Sequence, residues 1–143
     1  MGTFGTGPFS SDGALDLLDE LGERPAERRH HALAHMFTHV LNNRDLLGHE
    51  FFPDEVVAAA AIVAAGLPGG EHLQQLLTAA GQDPQTVTPP APAPDLAAPA
   101  LEALLFVAGP GGPWHQGWTD DMYRLEAQHT IDNLSAILRA ANP

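Results

Sequence analysis

Apolar positions recur at helical spacing through most of the chain. Ala14, Leu15, Leu17, Leu18 and Leu21 cover one side of a helix, with Ser10 or Ser11 placed to cap its start and Gly22 to stop it. On the opposite side Asp12, Asp16, Asp19 and Glu23 fall at i, i+4, i+7 and i+11, which aligns them as one acidic stripe. A second helix opens behind Pro25 and reaches Asn42, with Leu33, Met36, Phe37, Val40 and Leu41 as its buried face. Pro53-Asp54-Glu55 opens a third, placing acids at the positive end of its dipole. The run Val56–Ala65 that follows is apolar all round, which predicts a central position.

Gly66-Leu67-Pro68-Gly69-Gly70 ends that helix, and a shorter one follows from Glu71 to Ala80, stopping at Gly81. Residues 82–95 carry prolines at 84, 89, 90, 92 and 94, which predicts a stiff surface loop and not a domain boundary. A fifth helix is predicted over Leu96–Ala108, with Pro99 tolerated in its first turn. After Gly109-Pro110-Gly111-Gly112-Pro113, Thr119 caps a sixth, which has Asp120 and Asp121 in its first turn and runs to Ala141. Its core face is Tyr123, Ala127, Ile131, Leu134, Ile137 and Leu138. No internal repeat is present.

Composition agrees with this pattern. Alanine (23) and leucine (19) dominate, whereas valine and isoleucine together number 9, a balance that favours helices and starves strands. The expected fold is all-α: one domain spanning 1–143, a bundle of about six helices with a Gly-rich N-terminal arm (1–10) and a Pro-rich surface loop (82–95). The Ala-rich, Lys-free usage also suggests a high-GC bacterial source.

Charge narrows the function classes. The formal net charge is −12, and every cation is an arginine: Arg24, Arg28, Arg29, Arg44, Arg124 and Arg139. Nucleic acid and anionic membrane surfaces both need clustered Lys/Arg, so neither is expected as a partner. The absence of cysteine excludes disulfides, thiolate nucleophiles, zinc–thiolate sites and Fe–S clusters. The first ten residues show no basic n-region or apolar h-region of a secretory signal. Met1-Gly2-Thr3-Phe4-Gly5-Thr6 fits a myristoylation pattern but has no basic second signal. The apolar runs Val56–Leu67 and Leu96–Ala108 fall short of the ~20 residues of a bilayer span. A cytoplasmic protein is expected.

Gly2, Gly5 and Gly7 superficially suggest a phosphate loop, but the P-loop pattern and its lysine are absent, and Asp12 opens the helix that follows. The simpler expectation is an arm that packs Phe4 and Phe9 onto the bundle. The segment Gly2-x-Phe4-Gly5-x-Gly7-x-Phe9-x-x-Asp12-x-Ala14-x-Asp16 resembles the opening signature G-x-W-G-x-G-x-F-x-x-D-x-A-x-D of the bacterial family called domain of unknown function 4259. Seven of the eight fixed positions match, and Phe4 stands where the family has Trp. The Ala-rich helix Glu55–Ala65 is also family-like, although Ala61 stands where the family often has a Glu. The resemblance implies a small, mostly helical bacterial domain and brings no agreed activity, cofactor or catalytic residue. The missing Glu weakens any enzymatic reading built on that position.

Four groups of residues are candidates for chemistry. Glu27, His31, His35 and His39 follow one another at four-residue spacing, and a His pair so spaced can chelate a divalent transition ion. The same stripe also reads as a solvated His-rich face, or as a pH-responsive interface. His30 projects nearer the apolar side and is expected to be partly buried. The stripe Asp12, Asp16, Asp19 and Glu23 has like charges four apart, which costs a helix a few tenths of a kcal/mol per pair. It therefore reads as a solvated or partner-facing surface; calcium is disfavoured on a rigid helix without loop carbonyls. Glu102 is the one ionisable residue of the fifth helix: an exposed edge, or a general acid/base if buried. Trp114, His115 and Trp118 cluster in a Gly/Pro-rich loop, where they would cover one end of the bundle or line a pocket with Glu102. Ser10, Ser11 and Ser135 lie in no G-x-S-x-G motif, and Pro89–Pro92 lacks the basic flank of a P-x-x-P ligand.

No catalytic residue is assigned, no cofactor is predicted, and the balance leans against an enzyme. The leading expectation is an immunity- or antitoxin-like interaction module whose acidic face (Asp12, Asp16, Asp19, Glu23) meets a basic protein. The alternatives are a divalent-metal protein or small metalloenzyme using Glu27, His31, His35 and His39, and a small-molecule pocket at Glu102, Trp114, His115 and Trp118.

Overall fold

The computed structural model describes residues 9, 12–43, 53–83, 87, 94–108 and 121–141. Among them are six α-helices and no strand: α1 (Asp12–Gly22), α2 (Ala26–Asn42), α3 (Pro53–Ala65), α4 (Glu71–Ala79), α5 (Ala97–Ala108) and α6 (Asp121–Ala141). A short 3-10 turn, Pro94–Leu96, leads into α5, so the fifth helix starts one residue later than its apolar pattern predicts. The fold is the all-α bundle expected from the periodicity. The caps predicted at Ser10, Ser11 and Thr119, most of the arm 1–10 and much of the Pro-rich loop lie outside the described residues. Phe9 of that arm is buried, as is Val87 within the loop.

α3 is the axis of the molecule. From Val56 to Ala65 no residue is more than 2% exposed, so the helix is enclosed on every side. Its widest contact is with α5, and it also touches α1, α2, α4 and α6. The all-round apolar run is what permits this, because a polar position anywhere on the circumference would be buried without solvent. Ala58, Ala59, Ala60, Ala61, Ala64 and Ala65 keep the helix thin. On the facing helix Ala97, Ala100, Ala103 and Ala108 do the same, while Leu104 and Val107 fill the spaces left between. The other helices contribute larger side chains: Leu18 and Leu21 from α1, Leu33 and Phe37 from α2, Leu73 and Leu77 from α4, Ile131, Leu134 and Leu138 from α6.

The chain leaves α3 through a tight turn. The amides of Gly66 and Leu67 donate to Val63 and Ala64 carbonyls, and the Gln74 side-chain amide donates to the Ala65 carbonyl at 2.8 Å. Gly70 passes so close to this helix end that an added Cβ would run into the Ala64 carbonyl. α4 ends in a different way. Gly81 has φ of +85°, its amide donates to Thr78, and the amide of Gln82 donates to Leu77, which is the paired 5→2 and 6→1 closure of a Schellman motif.

One core assignment is corrected. Tyr123 continues the apolar stripe of α6 in the sequence, yet it is 56% exposed, and Met122 and Leu125 beside it are exposed too. Burial along α6 begins at Ala127. The reason is length: α6 has 21 residues against 13 in α3 and 12 in α5. At a rise of ~1.5 Å per residue it is more than 10 Å longer than either helix, so one end overhangs.

These two glycines should respond differently to alanine. Gly70→Ala forces backbone apart at the end of the central helix and should cost about 2–3 kcal/mol, as overpacking does. Gly81→Ala meets no neighbouring atom and should cost about 1 kcal/mol from left-handed backbone strain alone. Urea denaturation of the two variants checks the order.

Candidate functional site

α1 and α2 each lean on the central helices, α1 on α3 and α2 on α5, and make little contact with one another. Arg29 ties them together. Although charged, it is only 8% exposed, and its Nε–H donates to the carbonyls of Leu21 and Arg24, each at 3.0 Å. These carbonyls lie at the C-terminal end of α1, where acceptors are left over and a cation is favoured by the helix dipole. The first turn of α2 thereby closes the last turn of α1. Its charge suggests the surface, yet Arg29 belongs to the buried side, because it precedes Leu33 and Phe37 at four-residue intervals on the same stripe.

Of the predicted acidic stripe, Asp16 and Asp19 of α1 and Glu23 just past its end are exposed, as is Glu20. The side chain of Asp12 lies outside the described residues. Asp19 accepts a hydrogen bond from the Gln82 amide at 2.9 Å, and Glu20 pairs with Arg24 at 2.7 Å. Asp16 and Glu23 engage no cation among the described residues. The acid carboxylates are thus presented outward and are only partly neutralised from within.

The histidine stripe is also where its spacing puts it. Glu27, His31 and His35 are exposed, and His39 is half-buried near the end of α2. His35 and His39 form an offset, near-parallel pair, with ring centroids 6.2 Å apart and planes 15° from parallel. The Asn43 amide sits 3.3 Å from Nδ1 of His39 and donates to its carbonyl at 2.9 Å, which closes the helix. Among the described residues no three His, Asp or Glu side chains are grouped to hold a metal ion.

His30 is half-buried as expected, but its partner is polar: Nε2 lies 2.8 Å from Asp95 Oδ2, linking α2 to the 3-10 turn before α5. Sequence reasoning missed this pair because the two residues are 65 positions apart. Glu102 is exposed, which removes the burial that would have tuned it for proton transfer. Trp114, His115 and Trp118 lie outside the described residues.

A cavity of about 750 Å³ lies elsewhere, in the groove that α1 and α2 leave between them. Leu17, Leu21, Leu33 and Met36 form apolar wall, and Glu20, Arg24, Arg28, His31 and His35 supply polar groups. The sequence signal for it was available: 17, 20, 21 and 24 share one edge of α1, and 28, 31, 32, 35 and 36 share one edge of α2.

No helix among the described residues is long and apolar enough to cross a membrane. A protein-family model described as "Domain of unknown function (DUF4259)" matches residues 2–130. No curated protein and no solved structure matches the chain.

Two measurements check this geometry. Arg29→Gln should destabilise the protein by about 2–3 kcal/mol in urea unfolding, the value of a lost charged hydrogen-bond donor, whereas exposed Arg28→Gln should stay within about 0.5 kcal/mol. Zinc titrated onto tag-free protein should bind without a stoichiometric high-affinity phase, since no three ligand side chains are grouped among the described residues; a tight 1:1 phase lost in His35→Ala would show that the rings reorient around metal.

Proposed function

The chain belongs to the family of unknown function DUF4259, and for it we propose a non-catalytic role as a protein-interaction module that docks a basic partner on α1. What supports the reading is one observation: exposed Asp16 and Asp19 of α1, with Glu23 in the turn just past its end, share the outer side of a helix whose apolar side is locked into the core. A helix held this way presents carboxylates at fixed positions, and a fixed array loses less entropy on binding than a mobile acidic tail. Like charges placed along one helix do not stabilise that helix. They do steer a cationic partner and raise its rate of encounter. A role of the immunity or antitoxin type, in which a small acidic protein masks a basic one, suits these electrostatics.

The metal reading through Glu27, His31, His35 and His39 would need an outside ligand or a turned ring to complete it. The pocket reading at Glu102, Trp114, His115 and Trp118 has only Glu102 among the described residues, and that residue is exposed.

The test is native mass spectrometry and pull-down from the source cells, using the wild-type chain and the variant Asp16→Lys/Asp19→Lys/Glu23→Lys. The expected result is a basic protein bound at low ionic strength, released by salt and absent with the charge-reversed variant. Retention of the same partner by that variant, or a partner indifferent to salt, would reject the proposal.

A further inference from the structure

The groove between α1 and α2 has a chemistry opposite to that of the chain as a whole. Of a protein with net charge −12, this cavity gathers Arg24, Arg28, His31 and His35 around its mouth. Its one described carboxylate, Glu20, is already held by Arg24 at 2.7 Å. That leaves the exposed guanidinium of Arg28 with no hydrogen-bond or ion-pair partner among the described residues. Arg24 is not a free anchor: its Nη2 is taken by Glu20, and its Nε is buried with no acceptor among the described residues, an uncommon arrangement that costs stability. Beside these donors the lining is apolar, with Leu17, Ala32 and Met36 partly exposed and Leu21 and Leu33 buried behind them.

We propose that this groove binds a small amphipathic monoanion, a carboxylate on a short apolar chain or ring. The volume of about 750 Å³ is that of a small-molecule site. A guanidinium fork matches a carboxylate in shape and charge, so Arg28 is the head-group anchor. The apolar part lies against Leu17, Ala32 and Met36, where its burial supplies most of the affinity. The charge balance sets the selectivity: with Glu20 and Arg24 paired, the single guanidinium charge of Arg28 remains, which balances one carboxylate better than a dianionic phosphate. The site exists because α1 and α2 rest on α3 and α5 more than on each other, with Arg29 fixing their separation at one end.

The test compares three probes of equal chain length: octanoate, octan-1-ol and octylammonium, each titrated onto the full chain and followed by amide NMR shifts. Octanoate should saturate at one per chain and perturb residues 17–24 and 28–36, with octanol weaker by roughly tenfold and octylammonium weaker still. Arg28→Gln should lower octanoate affinity by roughly tenfold while the thermal midpoint holds. Ala32→Leu, which fills the groove without altering its charges, should block binding. Equal affinity for octanoate and octanol, an unaffected Arg28→Gln variant, shifts mapping outside the groove, or no saturable binding would each overturn the proposal. Charge reversal at Asp16 and Glu23 should leave octanoate affinity within about twofold at physiological salt, so this site and the acidic face can fail separately.

Discussion

The enclosure of α3 is the constraint from which the rest of the molecule follows. A helix buried from Val56 to Ala65 can have no polar side, must be narrow to be surrounded, and needs its ends satisfied locally. Alanine supplies the narrowness, and the matching alanines of α5 let the two helices meet closely. Gly70 lets the chain turn away where any side chain would strike the Ala64 carbonyl. The other helices bring leucine, isoleucine and phenylalanine to this pair and keep their polar faces for solvent. Because α1 and α2 are held by the centre, they need not pack on each other, and the space between them stays open.

This arrangement sorts the charge. The outer side of α1 carries Asp16, Asp19 and Glu23, and the edge it turns toward α2 carries Arg24 near Glu20. Arg28, His31 and His35 face the same groove from α2. Arg29, one residue further on, turns inward and closes the carbonyl end of α1. A strongly acidic protein therefore has one basic concavity directly beside its acidic helix. The two surfaces differ in sign and in shape, one convex and polar, the other concave with an apolar lining, and would select different ligands.

Most of the fold was legible because helices announce themselves locally. The apolar repeat of α1 and α2, the unbroken run of α3, and the glycines after α3 and α4 need only neighbours within a turn or two to be read. What escaped depends on distant partners. The His30–Asp95 contact joins positions far apart in the chain, and nothing at either residue announces the other. The overhang of Tyr123 depends on how long the neighbouring helices are, which the α6 pattern does not contain. Arg29 could have been placed, since it lies in register with Leu33 and Phe37; its charge argued for the surface until the carbonyls of Leu21 and Arg24 supplied partners. The acidic stripe and the histidine stripe were visible as stripes, whereas the pattern of α5 left Glu102 open between an exposed edge and a buried acid, and it is exposed. The two edges of the groove were legible in the spacing, but that α1 and α2 stay apart was not, because it depends on how each packs on α3 and α5.

If α3 carries the fold, its backbone should open only when the whole molecule opens. Native-state hydrogen exchange reads this directly, since amides released by global unfolding exchange with the free energy of unfolding and peripheral ones exchange sooner. The account predicts the slowest exchange at Ala58–Ala65, with α5 close behind and α1, α2 and α4 faster. Exchange in α3 as fast as in α4, or slowest exchange in α1 and α2, would contradict the claim that the buried helix is the element on which the others and the groove depend.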